Sequence, residues 1–338
     1  MIVVGVTHVI VVGEMMSNVL SSLRQKIIDS GGFVNAHAHL DRANTAEYFT
    51  KEEQYKFLKQ KWKLVDRIKK NSSYDDYKAR IEFALDKQKS FGVTQVCSFI
   101  DIDDIASPDG IKAARVIRAS RKDVGLKIAC QTLKGVLDPV QNALISEQLF
   151  FIDIIGSLPG GDKDREEEHL DRIMQWGKEY NKRIHVHVDQ LNTPEEKETE
   201  LLARKTMQWG MEGQVTAVHS ISLACHHRAY RKEVYKMAKD ADLSFITCPS
   251  AWIDHPRRED LAPIHNSITP VDELIENDLI VAIGSDNIHD IYKPYSDGDM
   301  MFELRLLLEA CKIYDEHELI KIATTNGKRV LGIKQEQR

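Results

Sequence analysis

The run Gly32-Phe33-Val34-Asn35-Ala36-His37-Ala38-His39-Leu40-Asp41 opens as a buried β-strand and closes on polar residues with metal-ligand chemistry. Side chains alternate faces along a strand, so His37 and His39 point the same way. Two imidazoles side by side at a strand end can chelate one divalent ion. Alone the pair is a weak signal, because two histidines on a strand more often form a partly solvated polar face.

Seven further apolar runs follow: 93–100, 126–131, 152–157, 184–188, 215–219, 243–248 and 279–284. Each is short and rich in Val, Ile or Leu, as a strand buried on both faces must be. Between them, 74–89, 162–180, 194–209 and 230–240 place apolar residues at helical spacing among Lys, Arg and Glu. Alternation of this kind predicts a parallel sheet, and eight units predict an α/β protein of the closed (β/α)8 TIM-barrel type. The competing open, doubly wound sheet lacks its glycine-rich phosphate turn after the first strand. Gly160-Gly161 follows Pro159 and leads into acidic residues, which reads as a loop. The expected organisation is one barrel over residues 16–333, preceded by an N-terminal extension or vestigial β-hairpin over residues 1–15.

The chain has 338 residues, 42% of them hydrophobic, and a formal net charge of −6. It carries no basic surface for nucleic acid. The apolar stretch Ile2–Gly13 is too short to span a bilayer and lacks the positive flank of a secretory signal. Five scattered cysteines without a CxxC pair suit a reducing, cytoplasmic setting. These features predict no nucleic-acid or membrane partner and leave a homo-oligomer open.

Strand ends converge on one face of a barrel, so polar residues there meet in space. Strand one ends in His37 and His39, strand five in His187, strand six in His219, and strand eight is followed by Asp286. Each has a bland reading as an exposed histidine or a helix cap, but four ligand-bearing strand ends together predict a metal site. A divalent ion lowers the pKa of bound water from about 16 toward about 7. Asp286 is placed to take the proton. Imidazoles together with a carboxylate suit Zn first, with Fe or Mn as alternatives.

This ligand order resembles the amidohydrolase superfamily, and within it the cytosine deaminase branch that includes isopropylammelide amidohydrolases. The matching stretches are His37-Ala38-His39-Leu40-Asp41-Arg42, His187-Val188-Asp189-Gln190, Val218-His219-Ser220 and Gly284-Ser285-Asp286-Asn287. Ile268–Leu274 and Tyr292–Met300 extend the match, which runs from Gly32 to the C-terminus. The resemblance implies a single metal held by His37, His39, His187 and Asp286. His219 then lies beside it, and Asp286 doubles as general base. It implies hydrolysis of a C–N bond in a small cyclic nitrogen compound, of deaminase or amide/amine-releasing type. Many members add a β-sandwich from residues flanking the barrel at both ends; here a barrel with little or no flanking sandwich is expected.

Three departures bear on the reaction. Relatives carry a Glu proton shuttle where this chain has Gln190, and a carboxamide cannot exchange a proton near neutrality. Asn287 replaces a second acid. A glutamine that relatives use after strand three aligns with Leu133 or Lys134. The expected substrate is therefore not cytosine, and a catalytically impaired homologue that only binds metal and ligand is the alternative reading. Arg42, Lys134, Trp252 and Asn287 are the expected substrate contacts. Asp254 and His255 in the following loop are weaker candidates, and His185 is expected one layer deeper than His187.

Overall fold

A computed structural model describes residues 19–51, 56–106, 108–253 and 266–334. The expected extension over 1–15, its boundary with the barrel, and the loop residues Asp254 and His255 lie outside these. Eight parallel strands run in sequence order: β1 (Phe33–Ala38), β2 (Val93–Asp101), β3 (Gly125–Gln131), β4 (Ile154–Ser157), β5 (Arg183–Val188), β6 (Val215–His219), β7 (Ser244–Thr247) and β8 (Val281–Ile283). Helices connect them, and all described strands belong to this sheet, so the structure is a (β/α)8 barrel. Every apolar run singled out in the sequence forms a strand. Among the described residues no helix is long and apolar enough to cross a membrane, and all five cysteines are free thiols.

Two apolar layers hold the fold. Leu85, Ile117, Ile173 and Leu202 pack between helices and strands, while Val34, Ala36, Cys97, Phe99, Ala129 and Val218 fill the barrel interior. Two helices start later than their periodicity predicts. The helix expected from 162 begins at Glu166 because Asp162 closes a 3-10 turn, where its carboxylate accepts the Val136 N–H. The helix expected from 194 begins at Glu198, whose N–H and that of Thr199 are both capped by Asp189.

Barrel closure runs through residues that also define the site. The Asp286 N–H donates to the His37 carbonyl at 3.0 Å, and the His39 N–H donates to the Asp286 carbonyl at 3.2 Å. Asp286 adopts this position at φ +58°, a left-handed conformation that Asp tolerates better than most residues. A Cβ at Gly284 would lie 2.7 Å from the His37 carbonyl oxygen, so only glycine lets β8 approach β1 here.

The β1–β2 register advances by three residues on β1, Asn35 to Ala38, against two on β2, Val96 to Ser98. This extra residue is a bulge, and a bulge shifts the residues beyond it onto the opposite face. Val34 and Ala36 face the interior before it. After it His37 packs on the interior ring of Phe99, with centroids 4.4 Å apart. Asn35, on the outer face, bonds to Gln88 and Ser285 and so ties the bulge to β8.

His185 lies below His187, its Nε2–H donating to the Val330 carbonyl at 3.0 Å. Burial pushes its pKa down to about 3. The unfolded chain takes up this proton near pH 6.5 and the native state does not, so the neutral imidazole weakens stability as pH falls below 6.5. Comparing wild type with His185→Gln isolates this contribution. The variant's deficit in unfolding free energy is expected to shrink by about 1.4 kcal/mol per pH unit below 6.5. Urea unfolding from pH 7.5 to 4.5 measures it, and a constant deficit would contradict the buried neutral state.

Candidate functional site

At the C-terminal end of the barrel, β1, β5, β6 and the residues after β8 bring His37, His39, His187, His219 and Asp286 together. His37 lies 4.9 Å from His39, 4.8 Å from His187 and 5.4 Å from His219 between ring centroids. Asp286 Oδ1 lies 3.4 Å from His37 Nε2 and 3.2 Å from His39 Nε2. Ligand atoms of His37, His187 and His219, and likewise of His37, His39 and Asp286, fall within 4.8 Å of one another.

The electrostatics suit cation binding. Burial holds the pKa of His39 and His187 well below the ordinary histidine value and lowers that of His37, so the rings are neutral. His187 Nδ1–H donates to the Ser157 carbonyl at 3.1 Å, leaving Nε2 buried without a hydrogen-bond partner. Such an orphaned lone pair costs free energy unless it is filled. Burial raises the Asp286 carboxyl, but the Lys293 ammonium 3.5 Å from Oδ2 and the facing imidazoles outweigh it and hold it well below the carboxylate range. The His/Asp cluster therefore fits a divalent metal.

Above the cluster a cavity of about 490 Å³, including its mouth, is lined by His39, His187, His219, Asp286 and Gln190, with Arg42 and Asn287 on one side. The Asn287 Oδ1 accepts from Arg42 Nη2 at 3.0 Å, and its Nδ2–H donates to Asp286 Oδ2 at 3.0 Å. Arg42 is buried, 3.7 Å from Asp101 and 3.5 Å from Asp290, with its guanidinium over the Tyr292 ring. Its acidic partners are interior groups rather than surface ones.

Two expected contacts fall elsewhere. Lys134 is absent from the cavity wall; its ammonium turns outward to Asp104, 2.5 Å away, because the chain has already left β3. Trp252 is core, not a cavity wall. Its indole N–H donates to Thr269 Oγ1, whose hydroxyl donates to the His219 carbonyl at 2.6 Å. The indole thus packs behind His219. His226 and Cys225, in the turn after β6, are engaged elsewhere: His226 Nε2–H donates to the Glu196 carbonyl, and Cys225 Sγ lies beside Ser267.

Other side chains on the wall were missed. Gln131, the last residue of β3, faces the cavity with a buried Oε1 lacking a hydrogen-bond partner. It stands at the strand-three end where Leu133 or Lys134 was expected, and inspection of polar residues at every strand end would have found it. Trp62 and Leu58, four residues apart on the helix Leu58–Lys70, and Tyr292 supply the aromatic and aliphatic wall. Nothing in the local pattern around Trp62 separates it from a core tryptophan.

Parallel barrels carry their chemistry at this end, and imidazoles converging with a carboxylate there suit a metal-assisted site. The chain belongs to the amidohydrolase family, whose sequence profile matches residues 52–337. It is thus a hydrolase of carbon–nitrogen bonds other than peptide bonds. An uncharacterized protein of Haemophilus influenzae is 44% identical over 261 residues, spanning 75% of this chain and 94% of that protein. N-isopropylammelide isopropyl amidohydrolase of Pseudomonas sp. is 26% identical over 319 residues, spanning 90% of this chain and 75% of that enzyme. The structure of 5-methylcytosine deaminase from Klebsiella pneumoniae with 5-fluorocytosine superposes with a TM-score of 0.82 at 24% identity, covering 89% of this chain and 75% of that one. The last is a likeness of fold, and together these agree with the cytosine deaminase-like branch.

Proposed function

We propose that the protein is a metal-dependent amidohydrolase that cleaves a C–N bond of a small, planar, uncharged nitrogen compound and releases ammonia or an amine. The observation that carries this reading is the convergence of His37, His39, His187 and Asp286 beneath a cavity that also presents His219. These four residues would hold one divalent ion, with Zn first among the candidates. Bound there, the ion would acidify water and polarise the bond to be cleaved.

Asp286, kept ionised beside Lys293, accepts a proton from the attacking water and returns it to the departing nitrogen. His219 stands next to it on β6 and polarises the substrate oxygen or nitrogen. Arg42, braced by Asn287, Asp101 and Asp290, offers a rigid fork to a ring carbonyl. Gln131 at the end of β3 and Gln190, two residues past β5, present carboxamides that read donor and acceptor edges without moving protons. Trp62 and Tyr292 suit the faces of a flat ring.

Gln190 directs the choice of substrate toward bonds whose cleavage needs no protonated ring nitrogen. Incubation with a panel of pyrimidines, triazines and cyclic ureides, with and without added Zn, tests the proposal. Metal-dependent release of ammonia or amine supports it. Metal binding without turnover of any compound would favour the non-catalytic alternative. Gln190→Glu restores a proton carrier and is expected to raise ammonia release from cytosine by at least about 100-fold, the lower range for a positioned proton-transfer group. No gain in that assay would assign the limit to pocket shape.

A further inference from the structure

A second hydrogen-bonded array sits behind His187. Ser157 Oγ and His169 Nε2 are 2.6 Å apart, and His169 Nδ1 and Asp162 Oδ2 are 2.7 Å apart. Asp162 can only accept from this neutral ring, so His169 carries its proton on Nδ1, and Nε2 accepts the Ser157 hydroxyl proton. The order of residues is that of a nucleophilic triad, but Ser157 and His169 are each 0% exposed and neither lines the cavity. No substrate reaches the hydroxyl. The same Ser157 offers its carbonyl to His187 Nδ1–H at 3.1 Å.

The fold explains why the end of β4 needs this support. β4 is four residues long, and its ladder with β3 consists of one pair, Ala129 with Ile154. Ser157 therefore lies beyond the reach of that ladder, opposite Val186 of β5, and on the β3 side its neighbours are held by side chains, Cys130 Sγ donating to the Gly156 carbonyl and the Leu158 N–H to Thr132 Oγ1. On the same side the Asp162 carboxylate also accepts the Val136 N–H at 2.6 Å and so grips the loop after β3. Gly135 makes room for it: at φ +79°, a Cβ there would lie 2.3 Å from Asp162 Oδ1.

We propose that Asp162, His169 and Ser157 form a positioning relay for His187. The relay fixes the Ser157 carbonyl, and the carbonyl fixes the ring orientation and tautomer that point the Nε2 lone pair at the metal position. Its effect on metal binding rests on the reading of His187 as a ligand. Hydrogen-bond partners behind metal-ligating histidines commonly control affinity in this way.

The test uses the full-length protein stripped of metal and titrated with Zn against a chromophoric chelator, with Co(II) spectra as a second readout. His169→Phe and Ser157→Ala are each expected to weaken Zn binding on the order of 10-fold, the lower range for such partners. Both are expected to alter the Co(II) visible bands. In metal-free wild type, NMR is expected to show a slowly exchanging His187 Nδ1 proton that exchanges faster in both variants. Ile117→Ala, a buried change in the helix Asp109–Ser120 away from the relay, is expected to lower stability and leave all three readouts unmoved. Should His169→Phe fail to fold, Ser157→Ala, which loses one oxygen, carries the test. Wild-type affinity, spectra and proton exchange in the relay variants would overturn the proposal, as would equal effects from Ile117→Ala. If wild type binds no metal, the ligand reading fails by itself, and the exchange of the His187 proton still decides whether the relay exists.

Discussion

Asp286→Asn is expected to lower the rate of C–N hydrolysis by about 10³- to 10⁴-fold, the upper range for loss of a general base, with the barrel intact. The substitution keeps the shape and the left-handed backbone conformation, because Asn is as tolerant of positive φ as Asp. Both closing bonds to β1 use backbone atoms and survive. What disappears is the negative charge between His37, His39 and Lys293. On the proposed roles, the variant loses its proton acceptor and an anionic ligand together. Lys293 keeps Ser250 Oγ and the Ser285 carbonyl as acceptors, so its burial remains partly compensated. Ammonia or amine release at saturating metal, with circular dichroism as the fold control, measures the effect. Retention of more than a tenth of the activity would remove Asp286 from its assigned role.

Chelation of the metal is expected to abolish turnover and to lower the thermal midpoint on the order of 10 °C. That figure follows from roughly 4 kcal/mol of linkage stabilisation at free metal about 1,000 times the dissociation constant, spread over a large domain. The source of the energy is specific. His37, His39 and His187 are buried and packed ring against ring, and a single cation can take their lone pairs in common. Adding Zn, Fe(II) or Mn back to the stripped protein ranks the metals by recovered activity. His37→Ala is expected to erase the metal-dependent rise in midpoint, since His37 belongs to both ligand groupings. A variant that still gains the full increment on metal addition would disprove the assignment.

The strand pattern was legible because parallel strands are buried on both faces and leave uninterrupted apolar runs. The histidines and Asp286 were legible because a barrel brings strand ends to one place, so position along the chain stands in for position in space. Trp252 and Trp62 show where this stops. Both are tryptophans in amphipathic surroundings, yet Trp252 is tied to Thr269 behind His219 while Trp62 lines the cavity. Lys134 failed for a related reason: it lies three residues past the end of β3, and direction is lost within a loop, whereas Gln131 at the strand end keeps it.

Local composition was thus sufficient for the element order, the barrel and the ligand types, since each depends on neighbours within a turn or a strand. The face that His37 and His39 occupy depends on contacts between distant segments. It comes from the bulge between Asn35 and Ala38, from Asn35 reaching Ser285 250 residues away, and from glycine at 284 letting β8 close on β1. A one-residue slip in pairing turns every later side chain over. Such a slip leaves no trace in the alternation of residues and is set only when the two ends of the sheet meet.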